Sequence, residues 1–273
     1  MKTVIVTGMP RSGTSWLGQI VNSDPAVAFR TEPLFAYRFK NRLHPDDSDQ
    51  AISAFLTDLL AADDDDFLMQ RHLVASGAYP AFTKTAPSVL AYKTSRHHEL
   101  LERFLTSSLD IHIVGIVRHP CAAMNSWIHS HREFAKKGCE IDKDWRSGAC
   151  RKDGVGEYWG FDDWLAVTER FVELADAYPE RFTLVHYAQL LQASVATSQW
   201  IFERAGLQWT AQTRGFLETA NEHHHDDPYA VFKDRSVSDR WRDELDPVLA
   251  NTIIRETRER GLDQFLDDTD FDL

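Results

Sequence analysis

The sequence predicts an α/β fold in a single domain, a central parallel sheet flanked by helices with a phosphate-binding loop of the nucleotide-binding kind. Three observations predict it. Short apolar runs at Val4–Val6, Ile111–Val117 and Phe182–Tyr187 alternate with helical patterns, and that alternation implies parallel strands joined by crossover helices. The first run breaks into Gly8-Met-Pro-Arg11-Ser-Gly13, a tight loop that opens a helix. No internal repeat and no linker divides the 273 residues, so one domain spans 1–273.

The elements follow in order. Strand 1 covers Thr3–Thr7, and its helix, Gly13–Asn22, stops before Pro25. Ile52, Phe55, Leu56 and Leu59 recur at i, i+3, i+4 and i+7 and predict a helix over Asp49–Leu60. Val89–Lys93 reads as a short strand, Glu99–Leu105 as a helix and Ile111–Val117 as a buried strand. Pro120 suits a first helical position, and that helix is expected to reach about Arg132. Phe161–Tyr178 is an amphipathic helix ended by Pro179. Phe182–Tyr187 is a strand, and Ala188–Ala205 is a helix stopped by Gly206. Thr210–Thr219 is helical, Glu222–Asp227 a loop, and Trp241–Arg260 a helix disturbed at Pro247. Segments 35–79 and 133–160 are expected to be insertions on the substrate side. The second shows no clear period and reads as a mobile insertion, with a substrate lid as one role for it.

The loop carries chemistry. Its N–H groups and the positive end of the following helix face a bound anion. It nearly spells G-x-x-x-x-G-K-[ST], but Thr14 stands in place of the lysine and Arg11 sits within the loop. The strand Ile111–Val117 ends in Arg118-His-Pro120, and Ser126 lies about two turns into the next helix. Arg118 and the Ser126 hydroxyl are therefore placed to grip one phosphate. A kinase needs a lysine on the β/γ-phosphates and acidic ligands for magnesium, and Thr14 and Arg118 occupy those places. A kinase with a variant loop stays the alternative, and an inert nucleotide-binding protein a third reading.

The segment Pro10-Arg-Ser-Gly-Thr-Ser-Trp-Leu17 resembles the 5′-phosphosulfate loop of sulfotransferases that use 3′-phosphoadenosine 5′-phosphosulfate (PAPS). Arg118, Pro120 and Ser126 resemble that family's 3′-phosphate element. Phe182–Tyr187 resembles its strand ending in a tyrosine near the nucleotide. Asp234-Arg235-Ser236 resembles a late segment closing over the 3′-phosphate, with Ser236 where the cytosolic branch has glycine. Asn22–Pro25 followed by Glu32-Pro33-Leu34 resembles the branch acting on carbohydrates and tyrosine residues.

The resemblance implies in-line transfer of a sulfuryl group from PAPS to a hydroxyl or amine of a small-molecule or carbohydrate acceptor, without a metal. It implies donor binding by Arg11, Ser12, Gly13, Thr14, Ser15, Trp16, Arg118, Ser126, Tyr187, Arg235 and Ser236. Lys93 and Arg11 are expected beside the reacting sulfate. Glu32 is the favoured base, because the carbohydrate and tyrosine branch has a glutamate there. His97 is the second, since the cytosolic branch uses a histidine in that neighbourhood, although Ser95 holds the matching position. Leu34 and Phe35 are expected to raise the pKa of Glu32 by desolvation.

Composition narrows the partners. A net charge of −12 excludes general nucleic-acid binding, which needs a basic surface, yet allows a local basic pocket. Asp63–Asp66 and the acidic stretch Asp263–Asp272 read as a solvated loop and a frayed tail. Three cysteines, Cys121, Cys139 and Cys150, and no C-x-x-C favour a reducing cytoplasm, with a Cys139–Cys150 bridge the less favoured option. The run Val4–Val6 is too short for a signal peptide, and no apolar run approaches the roughly 20 residues of a membrane span. A soluble, bacterial-like relative or an excised catalytic domain fits these features. His223–His225 and the pair His129 and His131 lack the spacing of metal ligands. Trp145, Tyr158 and Trp159 read mainly as core, with stacking on a sugar or ring as the alternative.

Overall fold

The computed structural model describes residues 1–35, 37–220, 238–267 and 270. Five parallel strands form its sheet in the order β2-β3-β1-β4-β5: β1 Lys2–Thr7, β2 Val27–Thr31, β3 Val89–Thr94, β4 Ile111–Val117 and β5 Phe182–His186. Alternation along the strands sorts the core into two layers. Ile5, Leu90 and Ile113 join one cluster, and Val4, Val6, Ala91 and Val114 join the other. β4 is buried along its whole length, which is why it reads as an unbroken apolar run.

The register levels the carboxyl ends of the strands. Thr7 lies beside Thr94 of β3 and Gly115 of β4, and Thr31 lies beside Lys93. Beyond these ends run the Gly8–Gly13 loop, Glu32, the Ser95–His97 turn, Arg118 and Tyr187. Open α/β sheets bind ligands at this edge.

Several elements depart from the sequence reading. β2 goes unread because it is a short edge strand whose Arg30 is buried. Its guanidinium donates to the carbonyls of Phe29, Leu59 and Leu60, so the residue is satisfied without water. The helix begun by Pro120 ends at Ile128, and the stretch from Ala188 to Ala205 belongs to two helices that meet at Ala193. Helix α2, Asp49–Ala61, forms as expected, capped by the Ser48 side chain.

The segment 133–160 is folded onto the body rather than shaped as a loose lid. It holds a helix, Ile141–Ser147. Trp145 stacks on Phe161 at 5.8 Å, Trp159 packs on Trp127 at 5.5 Å, and Arg146 grips both carboxylate oxygens of Glu256. Cys139 and Cys150 are disulfide-bonded, and Cys121 is a buried free thiol. The bond removes the cysteine argument for a reducing compartment. Nor is the acidic tail wholly solvated: Asp270 is buried and accepts from His119 at 2.7 Å, and Arg242 pairs with Asp267 and Asp270. His223–His225, Arg235 and Ser236 lie outside the described residues. Among the described residues no helix is long and apolar enough to cross a membrane.

Candidate active site

The loop after β1 turns through two left-handed residues, Arg11 at φ 70° and Gly13 at φ 90°. Gly13 is required twice. Its φ is one that side chains rarely adopt, and a Cβ there would come within 2.6 Å of the Tyr187 ring. Thr14, Ser15 and Trp16 form the first turn of helix α1, Thr14–Asn22, and line the cleft. Ser12 is buried, its N–H held by the Met9 carbonyl at 3.2 Å.

The phosphate-gripping residues expected from the sequence converge here. Arg11 Nε donates to Ser126 Oγ at 3.0 Å, and an Arg118 guanidinium N–H donates to the Arg11 carbonyl at 3.1 Å. The Arg118 guanidinium stands 5.0 Å from the Tyr187 ring centroid, and Tyr187 meets Trp16 edge-on. Glu133, from the segment 133–160, pairs with Arg11 at 3.5 Å. Burial holds Arg118 below the usual arginine pKa, and the charge of Arg11 adds to that. Two guanidiniums crowded into one buried corner favour an anion between them.

Glu32 occupies a second corner, at φ 47°. Its Oε1 accepts from Lys93 Nζ at 3.0 Å and from the Ser95 N–H and Oγ at 3.0 and 2.7 Å. Its Oε2 accepts from Thr94 Oγ1 at 3.2 Å and lies 3.8 Å from the Arg96 guanidinium. Burial alone would raise its pKa, but Lys93, Arg96 and Ser95 outweigh burial and hold it at about 2. The expectation that Leu34 and Phe35 raise it is therefore overturned. Phe35 instead supports a cation, with Arg96 lying 4.0 Å over its ring.

His97 forms a third corner, also left-handed at φ 57° and 4% exposed. Its Nδ1 lies 3.0 Å from Glu99 Oε1, and its backbone N–H donates to the Gly156 carbonyl at 2.8 Å. Its neighbour His98 is buried, and desolvation lowers its pKa to about 4, so it is neutral near pH 7.

All three corners open into one cleft of about 810 Å³. Among its described lining residues, lysines and arginines outnumber carboxylates. This is a basic pocket in an acidic chain.

A sequence profile described as "Sulfotransferase family" matches residues 3–211. The chain belongs to the sulfotransferase family. The match spans the loop, Glu32, Lys93, His97, Arg118, Ser126 and Tyr187, and it replaces the kinase alternative. No curated protein sequence matches the chain. Similar solved structures include mouse sulfotransferase SULT7A1 complexed with PAP, at TM-score 0.54 and 15% identity, covering 99% of this chain and 87% of that one. The sulfotransferase domain of the Synechococcus PCC 7002 olefin synthase has TM-score 0.52 and 14% identity, covering 90% and 89%. Retinol dehydratase, in a complex with retinol and PAP, has TM-score 0.54 and 13% identity, covering 95% and 82%. These likenesses establish a shared fold.

Three residues that sequence reasoning missed complete the cleft's polar wall, Arg96, Glu133 and Glu157, while Glu99 stands behind His97 and accepts from the Tyr158 hydroxyl. Arg96 carried a usable signal, a cation just past the end of a predicted strand. Glu133 and Glu157, like Tyr158, lie in the segment 133–160, which has no motif or period, and only its folding brings them to Arg11, Arg96 and Glu99.

Proposed function

We propose that this sulfotransferase-family protein transfers a sulfuryl group from PAPS to a hydroxyl or amine of a small-molecule or carbohydrate acceptor. The observation that carries the reading is the corner formed by Arg11, Ser126 and Arg118 beside the left-handed Gly13 loop. It offers two guanidiniums and a hydroxyl next to a loop suited to a second anion. That pairing suits a donor carrying separate 3′- and 5′-phosphate groups.

In the proposed reaction the acceptor oxygen or nitrogen forms a bond to sulfur as its proton passes to a base. The bond from sulfur to the 5′-phosphate oxygen breaks, and adenosine 3′,5′-bisphosphate leaves with that electron pair. Lys93 and the loop N–H groups are placed to stabilise charge growing on the departing oxygen, an effect commonly worth ~10²–10³ in rate. We assign the base to His97 rather than Glu32. A carboxylate held at about pKa 2 by two cations is a weak base near neutral pH, because proton transfer works best when the base's pKa lies close to the working pH. Glu32 instead fixes Lys93 in place.

The test combines a donor-labelled assay with ligand-induced stabilisation. Chain incubated with [³⁵S]PAPS and a panel of alcohol, amine and sugar acceptors should move label to at least one of them. Adenosine 3′,5′-bisphosphate should raise the melting temperature more than ADP does. Magnesium-dependent phosphoryl transfer from ATP, with no stabilisation by the bisphosphate, would reject the reading.

A further inference from the structure

Two separate pieces of chain close around the His97 ring. Its own turn supplies Glu99, whose Oε1 lies 3.0 Å from Nδ1. The second insertion supplies Gly156, which approaches so closely that an added Cβ would sit 2.2 Å from Nδ1. Two residues further on, Tyr158 donates its hydroxyl to Glu99 Oε2 at 2.9 Å. The Tyr158 ring also meets His98 edge-on at 4.8 Å.

The order of donors and acceptors fixes the state of the histidine. Burial acts to raise the pKa of Glu99, yet the bonds from His97 and Tyr158 bring it below the usual glutamate value. An ionised carboxylate only accepts hydrogen bonds. The hydrogen between His97 and Glu99 must therefore sit on Nδ1. In the neutral ring the lone pair is then on Nε2, which makes no hydrogen bond among the described residues, and His97 lines the cleft.

We propose that Glu99 and Tyr158 are positioning residues for sulfuryl transfer: Tyr158 orients the Glu99 carboxylate, and Glu99 locks His97 in the tautomer whose Nε2 takes the acceptor's proton. The proposal rests on the assignment of His97 as base. When Nε2 gains that proton, the ring becomes an imidazolium already paired with a carboxylate, so the new charge is stabilised where it forms. Because Tyr158 belongs to the insertion, the base is correctly held only while segment 133–160 is docked. Arg11, which pairs with Glu133, and Arg96, which pairs with Glu157, meet the same segment. Donor corner, Glu32 corner and base thus share one docking element.

The experiment uses the full chain bound to adenosine 3′,5′-bisphosphate. Imidazole ¹⁵N spectra, with His97 assigned through His97→Gln, report the tautomer directly. The wild type should show the Nδ1–H form. Glu99→Gln can donate as well as accept, so it should move His97 toward a tautomer mixture. With an acceptor found by the labelled assay, Glu99→Gln should lower kcat by roughly 10–10²-fold, less than the ~10²–10⁴-fold worth of a base. Its bisphosphate affinity should stay within about twofold of wild type. Glu99→Asp should restore part of kcat, and Tyr158→Phe, which removes one hydroxyl, should give a smaller loss in the same direction. An Nε2–H tautomer in the wild type would overturn the proposal. So would an unchanged tautomer and kcat in Glu99→Gln beside an inactive His97→Gln. A fully active His97→Gln would overturn the base assignment beneath it.

Discussion

Lys93 and Glu32 face each other across 3.0 Å at the carboxyl ends of adjacent strands, β3 and β2. Parallel pairing sets this contact. Thr31 is registered with Lys93, and the Glu32 N–H donates to the Lys93 carbonyl at 2.7 Å. The left-handed turn at Glu32 then directs the carboxylate back to the ammonium of its own backbone partner. A buried charge pair made this way costs several kcal/mol when one partner is removed.

Glu32 should make stability depend on pH. Its folded pKa is depressed to about 2 from 4.5, so its contribution is complete above pH ~4.5 and fades as pH falls through about 2. The shift corresponds to about 3 kcal/mol. Urea unfolding of wild type and Glu32→Gln at pH 7, 4 and 3 should show the gap between them narrowing with acid. A gap that stays constant down to pH 3 would mean that Glu32 is not held by its cations.

Gly13 should accept no side chain. Gly13→Ala combines an unfavourable φ with contact against Tyr187, and it should abolish stabilisation by adenosine 3′,5′-bisphosphate. Gly215→Ala is the control, since nothing lies within 4 Å of a Cβ there. Full nucleotide binding by Gly13→Ala would show that the loop backbone does not approach the donor.

Arg118 should discriminate between nucleotides. Arg118→Ala should weaken adenosine 3′,5′-bisphosphate by ~2–5 kcal/mol, the usual result of truncating one partner of a buried charge pair. It should leave ADP, which lacks the 3′-phosphate, nearly unchanged. Equal losses for the two ligands in isothermal titration would move Arg118 away from the 3′ side.

The disulfide should hold the folded segment 133–160 together. Cys139 and Cys150 are 11 residues apart, and a loop of that size stabilises by about 2–3 kcal/mol. Thiol titration of unreduced, denatured protein should find Cys121 alone reactive. Reduction or Cys150→Ser should lower the melting temperature by several degrees, at roughly 2–4 °C per kcal/mol. Three reactive thiols before reduction would show that the bond does not form.

What the sequence made legible tracks how local each signal is. β1, its loop and α1 are contiguous, so Gly8–Leu17 could be read directly. β4 with Arg118, Pro120 and Ser126 was legible for the same reason. That Arg11 and Ser126 meet follows from their placement at neighbouring strand ends. The ion pairs of Glu32 could not be read, because they depend on register between strands about sixty residues apart, and β2 itself is too short and mixed to show a period. The contacts made by Glu133, Gly156, Glu157 and Tyr158 were invisible, because a segment without periodicity is positioned by tertiary contacts such as Trp159 on Trp127. The disulfide went unfavoured because an odd cysteine count argues from compartment, whereas the structure brings two particular cysteines together.

Recognition of a nucleotide bearing both a 3′- and a 5′-phosphate is the property on which the proposed sulfuryl transfer depends most directly. Isothermal titration of the unmodified chain with adenosine 3′,5′-bisphosphate, ADP and ATP with magnesium measures this without knowledge of the acceptor. The bisphosphate should bind tightest, by roughly tenfold or more over ADP, which corresponds to about 1.4 kcal/mol. Equal or tighter binding of ADP or of ATP with magnesium would contradict it.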